Sequence, residues 1–408
     1  MEKKMNSIEL FAGAGGLGMG IGLAGFEHLA VIEWDKWACD TIRENMQRGY
    51  PLVSDWALTE GDVRLFDFSS LPEGLDLVAG GPPCQPFSMG GKHRSHNDER
   101  NMFPAAIDVI RKLKPRAFII ENVKGLTRPS FANYYQYILL QLEFPEVARR
   151  EGEDWKSHFQ RLQAEKTSGI LHAGQSLAYN VVPTLVNAAN YGVPQRRERI
   201  FVVGFRDDLG IKWSFPSETH SQDVLLHDQW ISGEYWDRHE IPQTGRPAMP
   251  ANLEARVQKL RQQRIFSLHP WRTVRDALQG LPDPEITADS SFLNHRFQPG
   301  ARVYPGHTGS PLDMPAKTLK AGDHGVPGGE NMMVKDNGDV RYFTVRESAR
   351  LQTFPDGFVF HGAWTETMRQ LGNAVPVELA HIVAASVAEK LIESKSNVLH
   401  NQLSRTIN

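Results

Sequence analysis

Cys84 is one of only two cysteines in 408 residues, and it stands in the stretch GGPPCQPFS, Gly80 to Ser88, with prolines at 82, 83 and 86. Proline fixes its own φ and restricts the residue before it, so this thiol is expected on a stiffened backbone. Such stiffness suits a nucleophile that must meet its target at a set distance. The usual fate of a free cysteine is a small buried apolar position, but the flanking glycines, Gln85 and Ser88 argue against that here. Cys39, within DKWACDTIREN, is the contrast: it falls in a helical pattern and reads as packed. A thiolate also needs help. Glu121 ends the run AFIIENV, and QRRER, Gln195 to Arg199, carries three arginines whose planar forks can hold a carboxylate or a substrate oxygen. Taken singly, Glu121 also fits a solvated strand end, and QRRER a solvated basic stretch. The segment SMGGKHRSHNDERN, residues 88 to 101, pairs glycines with basic residues and reads as a flap able to close on an anionic ligand.

A second chemistry lies near the N-terminus. In FAGAGGLGMG, Gly13, Gly15 and Gly18 fit G-x-G-x-x-G, and Glu33 ends the next apolar run twenty residues after Gly13. Glycines allow a tight turn close to a ligand, and an acid at that spacing can grip ribose hydroxyls. The motif alone serves a nicotinamide or flavin nucleotide as well as S-adenosylmethionine, and a plain strand-to-helix turn shares it. Trp34 can cover an adenine or fill core. Asp62, in EGDVR, can accept from an adenine amino group or simply sit in a turn.

Elements must bring these residues together. Short apolar runs at Ser7–Phe11, His28–Glu33, Leu75–Gly80, Ala117–Val123, Asn180–Asn187 and Arg199–Phe205 alternate with helix-period segments such as Lys36–Met46 and Asn101–Leu113. That order predicts an α/β fold with a doubly wound, mostly parallel sheet, and ligands where strands end at their carboxyl side. After residue 205 the texture becomes rich in Pro, Gly, His and Trp, with a helix-like run near Leu253–Phe266. It predicts a smaller, irregular inserted domain with recognition on its loops. The expected division is 1–205 for catalysis and cofactor, 206–343 for target recognition, and 344–408 returning to complete the first.

In this order the blocks resemble those of the DNA (cytosine-5)-methyltransferases. FAGAGG is similar to their cofactor loop, EWD to their ribose-binding acid, GDV to their adenine contact and GGPPCQPFS to their Pro-Cys loop. ENV resembles their catalytic glutamate block and QRRER their Gln-x-Arg-x-Arg element. RESARLQTFPD and QLGNAVP resemble the last two blocks. The resemblance covers about 7–205 and 344–393; within 206–343 only MPAKTLKAG loosely matches. It implies a Rossmann-like methyltransferase in which Cys84 attacks C6 of a flipped cytosine and Glu121 holds N3. Arg197 and Arg199 would orient the base and the catalytic pair. Phe11, Gly13, Gly15, Glu33, Trp34, Asp62, Pro83, Asn373 and Val375 would line the S-adenosylmethionine site, with no metal. The partner implied is double-stranded DNA, read in the major groove by the inserted domain. Basic residues near Arg256–Arg275 and the segment HTGSPLDMPAKTLKAGDHG are the candidate readers, or phosphate contacts only. A monomer of bacterial or phage type is implied, with a cognate restriction endonuclease as possible partner.

Three rival functions share part of this pattern. An RNA cytosine-5 methyltransferase shares the architecture, but the Cys-Phe-Thr signature of its tRNA-modifying members is absent. A nicotinamide oxidoreductase rests on the glycine loop alone. A catalytically dead DNA-binding module has no need of Cys84 and Glu121. Bulk properties fit the first reading. The net charge of -3 advertises no global basicity, so nucleic acid would need a local basic patch. Two cysteines, neither at zinc-ligand spacing, suggest a reducing, cytoplasmic setting. No signal peptide and no membrane-spanning run is expected.

Overall fold

The computed structural model describes residues 4–83, 101–168, 177–262, 267–286, 291–305, 308–321 and 331–406, with side chains to 396. The chain divides into two compact units. One comprises Met1–Val186, Glu198–Pro216 and Ala380–Asn408, the other Asn187–Arg197 and Ser217–Leu379.

The first unit is built on strands β1 (Met5–Leu10), β2 (Phe26–Glu33), β3 (Leu58–Glu60), β4 (Leu77–Gly80), β5 (Ala117–Val123), β6 (Tyr179–Asn187) and β7 (Glu198–Arg206). Its helices are α1 (Gly16–Leu23), α2 (Lys36–Gln47), α3 (Phe103–Leu113), α4 (Ala132–Glu143) and α5 (Trp155–Thr167). The sheet order is β3-β2-β1-β4-β5-β7-β6. β1 runs parallel to β2 and β4, β4 to β5, and β2 to β3, whereas β7 is antiparallel to β5. The order reverses between β1 and β4, so the loops after these two strands flank the switch point where such sheets bind ligands. All six sequence-expected strands are present. The three-residue β3 escapes detection because a run this short carries no period.

The sheet is buried on its central strands, as parallel sheets are. Ile8, Leu10, Ile32, Val78, Phe118 and Ile120 share a core with α3 and α4. On α3 the residues Phe103, Ala106, Ile107, Ile110 and Leu113 make one apolar stripe and are all buried. Each large side chain so placed contributes about 1.5–3 kcal/mol. Another helix, Val377–Thr406, belongs to this unit from Ala380 onward. Here α1 approaches so closely that a Cβ on Gly20 would lie 2.4 Å from the Ala380 Cβ. The stretch Trp364–Ser396 is long and apolar enough by composition to cross a membrane, contrary to the expectation from sequence. Two-thirds of its most apolar window (67%) is buried inside the protein, as in a core helix.

The second unit is irregular. Its elements are short, such as the helices Gln222–His227 and Val274–Leu278 and the three-stranded sheet Ser310–Pro311, Met332–Val334 and Val340–Tyr342. Leu225, Tyr235, Trp236 and Trp271 form an aromatic core. Loop carbonyls that no ladder satisfies are met by arginine. Fully buried Arg346 donates to the carbonyls of Leu293, Pro355 and Phe358. The segment expected to rejoin the first unit from 344 is divided: Val345–Leu351, Trp364–Asn373 and the residues to Leu379 lie in the second unit.

Candidate active site

The glycine loop follows β1. Phe11, Gly13 and Gly15 all adopt left-handed φ, at 58°, 55° and 86°. For Phe11 that conformation is costly, and such strain gathers at ligand sites. Gly15 has no alternative, because a Cβ there would come within 2.8 Å of the Trp56 ring. Glu33 latches the loop from the end of β2. One carboxylate oxygen accepts from Gly13 N (2.7 Å), the other from Trp34 N (2.8 Å) and Asp35 N (2.7 Å). Burial pushes the Glu33 pKa up, and the three amides oppose that shift. Trp34 is 65% exposed, so it is a free aromatic face and no part of the core. Asp62 begins a short 3-10 turn by accepting from Arg64 N (2.9 Å) and pairs with the Arg64 guanidinium, which lowers its pKa. Gly61 N donates to Glu33 O (2.8 Å), tying that turn to the same edge.

These residues fit an adenosyl group: a glycine turn open to close approach, an acid at its rim, an exposed indole and a second acid. Glu33→Ala is expected to lower S-adenosylmethionine affinity at least tenfold, because it removes both the rim acid and the latch on Gly13. Calorimetric titration with an unchanged Kd would remove Glu33 from the site.

One neighbour, Glu9, was not legible in the sequence. Glu9, buried beneath the loop, is pushed up to about 8, chiefly by burial, which disfavours its charged form. A Cβ on Gly18 would collide with its carboxyl at 1.9 Å, which explains the third glycine of the motif. Cys39 is buried, with its thiol pushed up to about 12, chiefly by burial. That is the inert packing its helical context predicts.

Cys84, Gln85, Ser88 and the flap to residue 100 lie outside the described residues. What leads up to Cys84 is defined. Gly80 ends β4 against β1, where a Cβ would lie 2.7 Å from Leu10 O. A Cβ on Gly81 would come within 3.2 Å of Glu121 Oε2, so the loop passes directly by the carboxylate. Glu121 is 6% exposed on β5, and Arg199 Nε from β7 meets its Oε1 at 2.8 Å. Burial lowers the Arg199 pKa, and the Glu121 charge beside it opposes that shift. The result is a buried ion pair beside the cysteine loop.

The middle residue of ENV adds a contact that sequence did not assign. Asn122, also buried, donates from Nδ2 to Pro82 O (2.9 Å) and so fixes the backbone two residues before Cys84. Pro83 O in turn accepts from Met102 N (3.4 Å). Asn122→Ala is expected to lower kcat by about ten- to a hundredfold, the cost of a misplaced reacting group, with S-adenosylmethionine affinity kept. Equal kcat in a single-turnover assay would show that the bond to Pro82 does not position the loop.

In the second unit Arg197 is fully buried. Its guanidinium donates to the carbonyls of Leu319 (3.1 Å), Gly372 (2.6 Å) and Ala374 (2.8 Å). Gln352 Nε2 adds bonds to Leu371 O (2.5 Å) and Ala374 O (3.4 Å). Arg197 thus grips the chain on either side of Asn373. Asn373 itself is exposed at the end of its helix, and Val375 is buried. Among the described residues no group of three or more His, Cys, Asp or Glu is placed to hold a metal.

The model of the C-5 cytosine-specific DNA methylases matches residues 5–145 and 160–389. A type II methyltransferase of Neisseria gonorrhoeae, M.NgoMIV, is 30% identical over 392 residues, covering 95% of this chain and 98% of that one. M.Eco47II of Escherichia coli is also 30% identical over 392 residues, covering 94% and 79%. Among solved structures, a methyltransferase encoded within an E. coli prophage superposes with a TM-score of 0.57 at 21% identity, covering 95% and 99%. The S. pombe Dnmt2 methyltransferase gives 0.54 at 18%, with the same coverage. These two likenesses establish the fold.

Proposed function

The chain belongs to the C-5 cytosine-specific DNA methylase family, and from that premise we propose that it methylates carbon 5 of cytosine within one short duplex DNA sequence, through a covalent Cys84–C6 adduct. The observation that carries the reading is the Glu121–Arg199 pair set against the Gly81–Pro83 lead-in to Cys84.

S-adenosylmethionine supplies an electrophilic methyl group on a sulfonium. The carbon 5 of cytosine is too poor a nucleophile to take it unaided. Cys84, as thiolate, adds to C6 of a cytosine flipped out of the duplex and makes C5 enamine-like. Glu121 bonds to N3 and stabilises the charge that develops there. Arg199 holds the Glu121 carboxylate in place. After methyl transfer to C5, a base takes the C5 proton, the C5=C6 bond re-forms, and Cys84 leaves as thiolate. Glu33, with the turn of Phe11, Gly13 and Gly15, would hold the cofactor, with Trp34, Asp62 and Pro83 completing its site. Arg197 acts through the turn that it braces around Asn373.

The second unit reads the target sequence. A cytoplasmic monomer of bacterial or phage origin follows, protecting DNA from a cognate endonuclease that cuts the same site. The relatives named type II methyltransferases support this setting. An RNA cytosine-5 methyltransferase of the same architecture is the alternative. Transfer of labelled methyl from S-adenosylmethionine separates them. Label in duplex DNA and none in transfer RNA is the expected result; the reverse would move the protein to RNA.

A further inference from the structure

The chain carries a net charge of -3, so any grip on a polyanion must come from a local arrangement. One is built where the QRRER segment meets MPAKTLK. Gln195 pairs with Ala316 in a parallel bridge, with Arg196 N donating to Ala316 O (2.8 Å) and Ala316 N to Pro194 O (2.9 Å). Thr318 Oγ1 donates to Arg196 O (2.7 Å), and Gln195 Oε1 accepts from Leu319 N (3.1 Å). The ribbon has one inward and one outward side. Gln195, Arg197, Ala316 and Leu319 are buried at 0–1% exposure, whereas Arg196 is exposed and Lys317 half-buried.

The outward cations are uncommitted. Lys317 Nζ bonds the hydroxyl of Thr308 (2.8 Å), a neutral partner. Among the described residues neither Arg196 nor Lys317 has a carboxylate partner. The next acid in the sequence, Glu198, pairs with Lys124 at 2.7 Å. Arg196 and Lys317 each follow the bridged pair Gln195 and Ala316 by one residue, so they are neighbours across the ribbon, on a backbone fixed from beneath by the bonds of Gln195 and Arg197.

We propose that Arg196 and Lys317, side by side on this ribbon, are a contact site for the DNA backbone, each holding a phosphodiester. The site rests on the DNA reading above and deepens it. It positions the duplex and carries no sequence information, since phosphate contacts do not distinguish bases. Each phosphate neutralised releases counterions and adds about 0.9 to the slope of log affinity against log salt.

The test is the salt dependence of duplex binding by the full-length protein, using an oligonucleotide that contains its methylated site. Arg196→Gln with Lys317→Gln should lower the slope by about 2. Arg196→Lys with Lys317→Arg should restore it, and the exposed control Lys156→Gln should leave it unchanged. The same cytosines should be methylated throughout. A wild-type slope in the double glutamine variant overturns this site alone. A wild-type protein with no salt-dependent affinity for duplex DNA overturns the DNA reading with it.

Discussion

Cys84→Ala is expected to abolish methyl transfer, by about four orders of magnitude or more, while S-adenosylmethionine still binds with wild-type affinity. No other group in the proposed reaction can add to C6, and without that addition C5 never becomes nucleophilic. The thiol is no part of the proposed adenosyl contacts, which are assigned to the ends of β1 and β2, the turn after β3 and Pro83. The variant should therefore also separate binding from reaction. It should retain duplex DNA but form no denaturation-resistant complex with DNA carrying a 5-fluorocytosine at the target, a base whose fluorine blocks the final elimination. Turnover within tenfold of wild type, or a trapped complex in the alanine variant, would assign the nucleophile elsewhere.

The second large effect is at Glu121. Glu121→Gln keeps the shape of the side chain and removes its charge, and kcat is expected to fall by about 10²–10⁴-fold, the range for loss of a positioned acid–base group. Stability should suffer as well. Arg199 is buried beside it, and removing one partner of a buried pair costs about 3–5 kcal/mol because the other charge is left uncompensated. The two losses are separable. Replacing Arg199 by methionine in the Glu121→Gln background should recover stability without recovering rate. Recovery of both would make the pair a structural brace with no chemical role at Glu121. No change in rate for the single variant would remove Glu121 from the reaction.

The parts of this architecture that are periodic were legible in the sequence. Apolar runs such as AFIIENV fall on buried strands, and the α3 stripe falls on a helix face, because burial selects side-chain type residue by residue. Sheet order was not legible in the same way. Nothing in RIFVVGF says that β7 runs against β5, yet that reversal is what brings Arg199 across to Glu121. The resemblance to Gln-x-Arg-x-Arg singled out Arg197 and Arg199 together, but their destinations differ. Arg199 reaches a carboxylate and Arg197 three carbonyls from distant loops, and a sequence pattern does not encode which distant carbonyl lacks a partner. Asn122 escaped for a related reason: in ENV the acid draws attention, while the amide that holds Pro82 O looks like an ordinary strand-end residue. In the second unit, short elements and arginine-to-carbonyl bonds replace periodic packing, so its texture was readable, and of its elements the helix Glu254–Leu260 falls in the helix-like run expected near Leu253–Phe266.

The central claim is that this chain methylates cytosine carbon 5 at a defined site in duplex DNA, and bisulfite sequencing tests it most directly. Duplex DNA of varied sequence would be incubated with the purified protein and S-adenosylmethionine, then converted and read. The expected result is protection of cytosines at one short recurring sequence, with none in the Cys84→Ala control. Complete conversion at every cytosine, with the protein folded and the cofactor bound, would contradict it.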